Sequence, residues 1–259
     1  MAIGIFDSGV GGLSVWRVLR RVFPQDTLIY LADQAYLPYS SQTQQTLIER
    51  SEKATRFLHQ QSCELIVIAC NTATAAAVDH LRQQLPQLPI VGMEPAIKPA
   101  VQQTQSGIIG VLATASTLAS TRYAHLTQRF AQQVTLLENP CLELAPRIER
   151  GEQHTADTQQ YLHTIVQPML DQQADTFVLG CTHYPFIEPV LRQLVGPRAT
   201  IIDPAEAVAR QVGRLRQPNP TQNGDHHFYT TGSAPQFQAQ INRLLPQTAP
   251  TNSSTITFP

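Results

Sequence analysis

Short apolar, β-branched runs alternate along the chain with longer stretches in which apolar residues return every three or four positions. The runs predict strands over 2–6, 27–31, 65–69, 90–92, 108–112, 134–137, 176–179, 200–202 and 228–230. The periodic stretches predict helices over 41–61, 72–85, 116–131, 155–172, 188–195 and 205–215. Strand-like runs alternating with helical ones are the pattern of β-α units on a mostly parallel sheet, so the expected fold class is α/β.

A weak internal repeat adds to this. Val67-Ile68-Ala69-Cys70-Asn71-Thr72 resembles Val178-Leu179-Gly180-Cys181-Thr182-His183: each reads as a buried strand ending in Cys, then a small polar residue and a helix. Ile3-Gly4-Ile5-Phe6-Asp7-Ser8 parallels Ile109-Gly110-Val111-Leu112-Ala113-Thr114 in the same way. Two similar open-sheet α/β domains related by pseudo-symmetry are the simplest reading, and a chain of 259 residues has room for two. The Pro-rich segments Gly92-Met93-Glu94-Pro95 and Asp203-Pro204 look like crossings, which puts the first domain at 1–95 plus 208–259 and the second at 96–207. Residues 216–225 read as a surface loop, and the tail from Pro246 as loosely held.

Charge narrows the partners. Lys+Arg number 18 against Asp+Glu 19, a formal net charge of -1 with no basic run, so a nucleic-acid partner is not expected. The apolar runs are far shorter than the roughly 20 residues of a membrane-spanning helix, and no membrane association is expected either. Asp7 interrupts the first apolar run and no basic segment precedes it, so the chain reads as cytoplasmic. Cys63, Cys70, Cys141 and Cys181 are too scattered for a disulfide framework, and no Cys or His spacing suggests a metal.

In open parallel sheets ligands bind beyond the carboxyl ends of the strands, where helix N-termini offer free N–H groups. That rule gathers Asp7-Ser8, Cys70-Asn71-Thr72, Thr114 and Cys181-Thr182-His183 at equivalent strand ends of the two domains. Cys70 and Cys181 each precede an expected helix, whose dipole favours a thiolate, and His183 is placed to be a proton partner or ligand. Cys63 and Cys141 read as small buried hydrophobes, because neither sits at a strand end beside polar partners. Gly9 and Gly11 begin a G-x-G-x-x-G pattern, but Ser14 takes the place of its third glycine and Asp7 would repel a pyrophosphate. Lys53 and Lys98 are the only lysines and fall away from the strand ends, so a pyridoxal cofactor has no evident anchor.

The motifs resemble those of the glutamate racemase family: Ile5-Phe6-Asp7-Ser8-Gly9-Val10-Gly11-Gly12-Leu13, Ala32-Asp33 with Leu37-Pro38-Tyr39, Ala69-Cys70-Asn71-Thr72-Ala73-Thr74, Gly180-Cys181-Thr182-His183-Tyr184-Pro185, Ile202-Asp203-Pro204 and Phe228-Tyr229-Thr230-Thr231-Gly232. The resemblance runs in order over nearly the whole chain. It implies two α/β domains with the active site in the cleft between them, and a cofactor-free, metal-free inversion of L- and D-glutamate that supplies D-glutamate for peptidoglycan. By resemblance Cys70 takes the α-proton of the D isomer and Cys181 that of the L isomer. Asp7 and His183 assist them, and Glu149 supports His183. Substrate contacts carry over to Ser8, Tyr39, Ser40, Asn71, Thr72, Thr114, Thr182 and Thr117. A homodimer is also implied. Three departures stand out: Ser40 where the family usually has Gly, which serves equally only if φ there is negative; Ala113 before Thr114 in place of Gly; and Ser41-Gln42-Thr43 in place of basic residues. Other readings are a racemase for aspartate or another amino acid, a thiol hydrolase or amidase built on one Cys and His183, and a non-catalytic two-domain ligand-binding protein.

Overall fold

The apolar runs form two separate sheets, every strand pair in them parallel. The computed structural model describes residues 1–217, 224–246 and 253–256. The chain divides into two compact units, Met1–Met93 with Ala205–Pro259, and Glu94–Pro204.

The first unit comprises β1 (Ala2–Asp7), α1 (Leu13–Val22), β2 (Thr27–Ala32), α2 (Gln44–Gln60), β3 (Leu65–Ile68), α3 (Asn71–Gln84) and β4 (Ile90–Gly92), and its later part α10 (Ala205–Leu215), β9 (His226–Thr230), α11 (Ala234–Leu244) and β10 (Ser253–Thr255). The strand order is β10-β9-β2-β1-β3-β4. β1 and β3 are buried along their whole length, as strands covered by helices on both faces must be. One core cluster joins Phe6, Leu31 and Ile68 to Leu47, Ala54 and Leu58 of α2 and to Ala73, Ala77 and Leu81 of α3. Elsewhere in this unit Trp16 packs edge-on against Phe228, and Tyr30 stacks on Phe237.

The second unit comprises α4 (Ile97–Gln103), β5 (Ile108–Ala113), α5 (Ala115–Leu118), α6 (Thr121–Phe130), β6 (Thr135–Asn139), α7 (Leu144–Arg150), α8 (Ala156–Asp171), β7 (Thr176–Gly180), α9 (Glu188–Val195) and β8 (Thr200–Ile202). Its order, β6-β5-β7-β8, reproduces β2-β1-β3-β4 of the first unit strand for strand, which is the internal repeat expressed as topology.

The α/β class and the nine expected strands are present, with ends shifted by a residue or two. The helix expected over 116–131 is two helices, because the Ser120 hydroxyl accepts the N–H of Tyr123 at 3.1 Å and starts a new one. None of the predicted helical ranges covers α1, α4, α7 or α11. Residues 218–223 of the expected surface loop and 247–252 and 257–259 of the tail lie outside the described residues. The tail is anchored where it is described: β10 pairs with β9 in register Ser254↔Tyr229, which corrects the reading of a loose end. Among the described residues no helix is long and apolar enough to cross a membrane.

Candidate active site

In each sheet the chain leaves the first strand toward one side and returns on the other, so β1/β3 and β5/β7 are the places where strand order reverses. Such reversals open a crevice at the carboxyl ends of the strands. Asp7, Ser8, Cys70, Asn71, Thr72, Thr114, Cys181, Thr182 and His183 lie at or just past the ends of these strands.

In the first unit the register Phe6↔Ile68 sets Asp7-Ser8 alongside Ala69-Cys70. Asp7 is fully buried, and its Oδ1 accepts the N–H of Gly9 at 2.8 Å, closing the turn into α1. Gly12 is required in this turn, since a Cβ there would meet Asp7 Cβ at 2.7 Å and the Tyr30 hydroxyl at 2.9 Å. Cys70 is the N-cap of α3: its Sγ accepts the N–H of Ala73 at 3.5 Å and its thiol donates to Ser8 Oγ at 3.7 Å. The positive end of a fourteen-residue helix therefore points at this sulfur and favours its anionic form. Asn71 and Thr72 fill the first turn, both buried, and neither end of the Asn71 amide has a protein hydrogen-bond partner. An unmet buried amide costs about 1–3 kcal/mol, which a polar ligand can recover. The Tyr39 hydroxyl is committed to Asp33 at 2.7 Å, so the implied contact of Tyr39 with substrate falls to its backbone or ring. Burial, and then the Asp33 carboxylate, push that phenol far above its usual range. Ser40 is exposed in the 3₁₀ turn Tyr39–Ser41 and is not among the positive-φ residues, so serine meets the condition set by the missing glycine.

In the second unit Ala113 pairs with Gly180, and Thr114 and Cys181 follow. The pairing is tight: a Cβ on Gly180 would lie 2.6 Å from that of Ala113 and 3.0 Å from the Leu112 carbonyl. The Cys181 Sγ lies 3.6 Å from His183 Nδ1, and His183 Nε2–H donates to Glu149 Oε1 at 2.8 Å. Glu149, carried by α7, is thus the carboxylate that meets His183. Burial alone would hold the His183 imidazole neutral, but its hydrogen bonds to Cys181 and Glu149 outweigh burial and raise it well above the ordinary histidine value. Thr114 Oγ1 caps α5 through the N–H of Thr117 at 3.3 Å and lies 2.9 Å from Thr117 Oγ1. Thr117 and Thr182 are buried.

Two expectations need correction. No helix follows Cys181 directly: a 3₁₀ turn, Tyr184–Ile187, intervenes, α9 begins at Glu188, and the positive group beside this sulfur is the imidazole rather than a helix end. Cys141 does sit at a strand end, two residues past β6 with φ 43°, donating to the Asn139 carbonyl at 3.5 Å and close enough to Tyr184 and Cys181 to feel both. It remains buried, and burial pushes its thiol up to about 12. Lys53 and Lys98 are exposed on α2 and α4. Among the described residues no group of three or more His, Cys, Asp or Glu is arranged to hold a metal ion. The sequence reading gave no role to Asp33 or Arg50, which form a buried ion pair at 2.6 Å. The available signal was an arginine on the apolar stripe of a helix, between Leu47 and Ala54.

Strand-end cysteines at the reversals of two like parallel sheets, one sulfur on a helix end and the other beside a His–Glu pair, are a set of groups able to hold and move protons. The chain belongs to the Asp/Glu/hydantoin racemase family, whose model matches residues 14–212. Within it the similarity is to glutamate racemases. The glutamate racemase of Pseudomonas syringae pv. tomato is 49% identical over 213 residues, covering 82% of this chain and 78% of that one. The glutamate racemase of Stutzerimonas stutzeri is 46% identical over 246 residues, 94% of this chain and 93% of that one. The crystal structure of the Escherichia coli glutamate racemase, in complex with L-glutamate and the activator UDP-MurNAc-ala, superposes with a TM-score of 0.85 at 29% identity, covering 98% of this chain and 97% of that one.

Proposed function

We propose that this chain interconverts L- and D-glutamate by a two-base reaction in which Cys70 and Cys181 exchange the α-proton. Inverting a stereocentre requires a proton taken from one face of the carbon and another delivered to the opposite face, and a single base returns the proton where it came from. A thiol ordinarily titrates near 8.5, so one thiolate and one thiol coexist near neutrality and trade roles with direction. Cys70 accepts the proton of the D isomer and Cys181 that of the L isomer, and in each direction the other sulfur, as a thiol, supplies the replacement.

The observation that carries this reading is the matched placement of two cysteines at the strand-order reversals, each with its own polar surroundings: Ser8 and the α3 N-terminus for Cys70, His183 and Glu149 for Cys181. Asp7, one residue before Ser8, is the proton-handling group on the Cys70 side. The negative charge that builds on the α-carboxylate as the carbon loses its proton is met by neutral donors: Asn71 and Thr72 in the first turn of α3, Thr182 after Cys181, and Thr114 and Thr117. Ser8, Tyr39 and Ser40 complete the substrate contacts. The reaction supplies D-glutamate for peptidoglycan in the cytoplasm, and the working assembly is a homodimer.

The test is incubation of the pure protein with L-glutamate or L-aspartate in heavy water, following optical rotation and exchange at Cα. Loss of rotation with glutamate alone is expected. Inversion of aspartate at an equal rate, ammonia release, or silence with every amino acid would overturn the assignment.

A further inference from the structure

Arg50 lies on the buried side of α2, its side chain 9% exposed, and the Asp33 carboxylate it meets is fully buried. A buried ion pair gains little net stability over apolar side chains of the same volume, because two charges must be taken out of water. Its return is geometric. Arg50 Nη2 donates to Asp33 Oδ1 at 2.6 Å and Nε to Oδ2 at 2.9 Å; the Tyr39 hydroxyl donates to Oδ2 at 2.7 Å and the Thr231 hydroxyl to Oδ1 at 2.7 Å. Four donors use the lone-pair directions of both carboxylate oxygens.

The grip extends along the segment leaving β2. The Tyr36 ring lies 3.9 Å from the guanidinium carbon, and Thr231 Oγ1 also accepts the N–H of Ala35 at 3.1 Å. At the other end the Asp33 N–H donates to the Asp7 carbonyl at 2.9 Å, so the network abuts the residue assigned to proton transfer on the Cys70 side.

We propose that Asp33 and Arg50 are positioning residues for substrate binding: they clamp the segment from Asp33 to Ser41 through the Tyr39 hydroxyl and the Tyr36 ring, so that Tyr39 and Ser40 present one fixed conformation to glutamate. This rests on the function proposed above. Lysine in place of Arg50 keeps the charge but loses the bidentate fork and the planar stack on Tyr36.

The test pairs kinetics with amide exchange. In Arg50→Lys the KM for glutamate rises about tenfold in both directions while kcat stays within about twofold, the pattern of lost binding rather than lost chemistry. In Arg50→Lys and in Tyr39→Phe, which keeps the ring and serves as the milder variant, amide exchange over residues 34–42 speeds up about tenfold while the strands keep their protection. A KM unchanged in Arg50→Lys, a fall in kcat alone, or exchange of the segment unchanged in both variants overturns the proposal. The exchange measurement needs no substrate, so a wild-type protein that leaves glutamate untouched sinks the function and leaves the clamp to be judged by exchange.

Discussion

The imidazole of His183 is held at both nitrogens: Nε2–H donates to Glu149 Oε1 at 2.8 Å, and Nδ1 lies 3.6 Å from Cys181 Sγ. The carboxylate comes from α7 and the sulfur from the end of β7, so the ring bridges two elements of one unit. In the function proposed above the imidazolium hands a proton to the sulfur, and the carboxylate behind it favours the charged form of the ring.

The charge on His183 is therefore the first quantity to measure. Its value in the fold is raised above the unfolded one, so its contribution to stability is complete below about pH 6.5 and disappears as pH climbs through the higher folded value. Glu149→Gln removes the carboxylate, lowers the His183 midpoint in an NMR titration and destabilises the protein by about 1.5–3 kcal/mol at pH 6, with less effect at pH 9. A midpoint that does not move contradicts the relay.

At Cys70 fold and chemistry can be separated, because serine caps helices better than cysteine does. Cys70→Ser is expected to cut racemisation by a factor of about 100 or more while leaving the melting temperature equal or higher. Cys70→Ala loses the cap as well and costs about 0.5–2 kcal/mol. Equal stability losses in the two variants would show that the sulfur's bond to the Ala73 N–H has no structural weight.

Cys63 and Cys141 offer a control on thiol reactivity. Burial pushes both up to about 12, which leaves about one thiolate in ten thousand at pH 8. Brief treatment of the native protein with iodoacetamide followed by mass spectrometry is expected to leave both unmodified, and alkylation of both is expected after unfolding. Native labelling of Cys141 would show that its proximity to Tyr184 and Cys181 activates it.

The pairing that delivers Cys181 tolerates no side chain on Gly180, where the contacts in the way are Ala113 and the Leu112 backbone. Gly180→Ala is expected to destabilise by about 1–3 kcal/mol in urea unfolding, because backbone atoms yield less readily than a flexible side chain. An unchanged transition midpoint would mean that β5 and β7 separate at little cost.

What could be read from the sequence follows from where each signal is written. Strands buried on both faces are continuous apolar runs, so β1, β3 and β7 announce themselves locally, and the residues just after them inherit their position at the strand ends. β10 is Ser253-Ser254-Thr255, an edge strand with no apolar mark, and it exists only because β9 offers it a partner. The break at Ser120 was hidden because a single hydroxyl decides it. Glu149 was placed by family likeness, since nothing local says that a glutamate on α7 will meet a histidine 34 positions later. The Asp33–Arg50 pair is likewise a tertiary fact, visible beforehand only as a charged residue out of place on an apolar helix face.

The interleaving of the two units also orders their assembly in time. Glu94–Pro204 is one unbroken stretch, whereas the first sheet needs β9 beside β2 and β10 beyond it, both lying after residue 205. Domains fold as units while the ribosome is still translating. The inserted unit thus has all four of its strands in hand while β2 still lacks a neighbour on one side. The sheet that carries Cys70 is begun first and finished last, and a chain that ends between Pro204 and β9 holds the whole sequence of the Cys181 unit but only part of the Cys70 sheet.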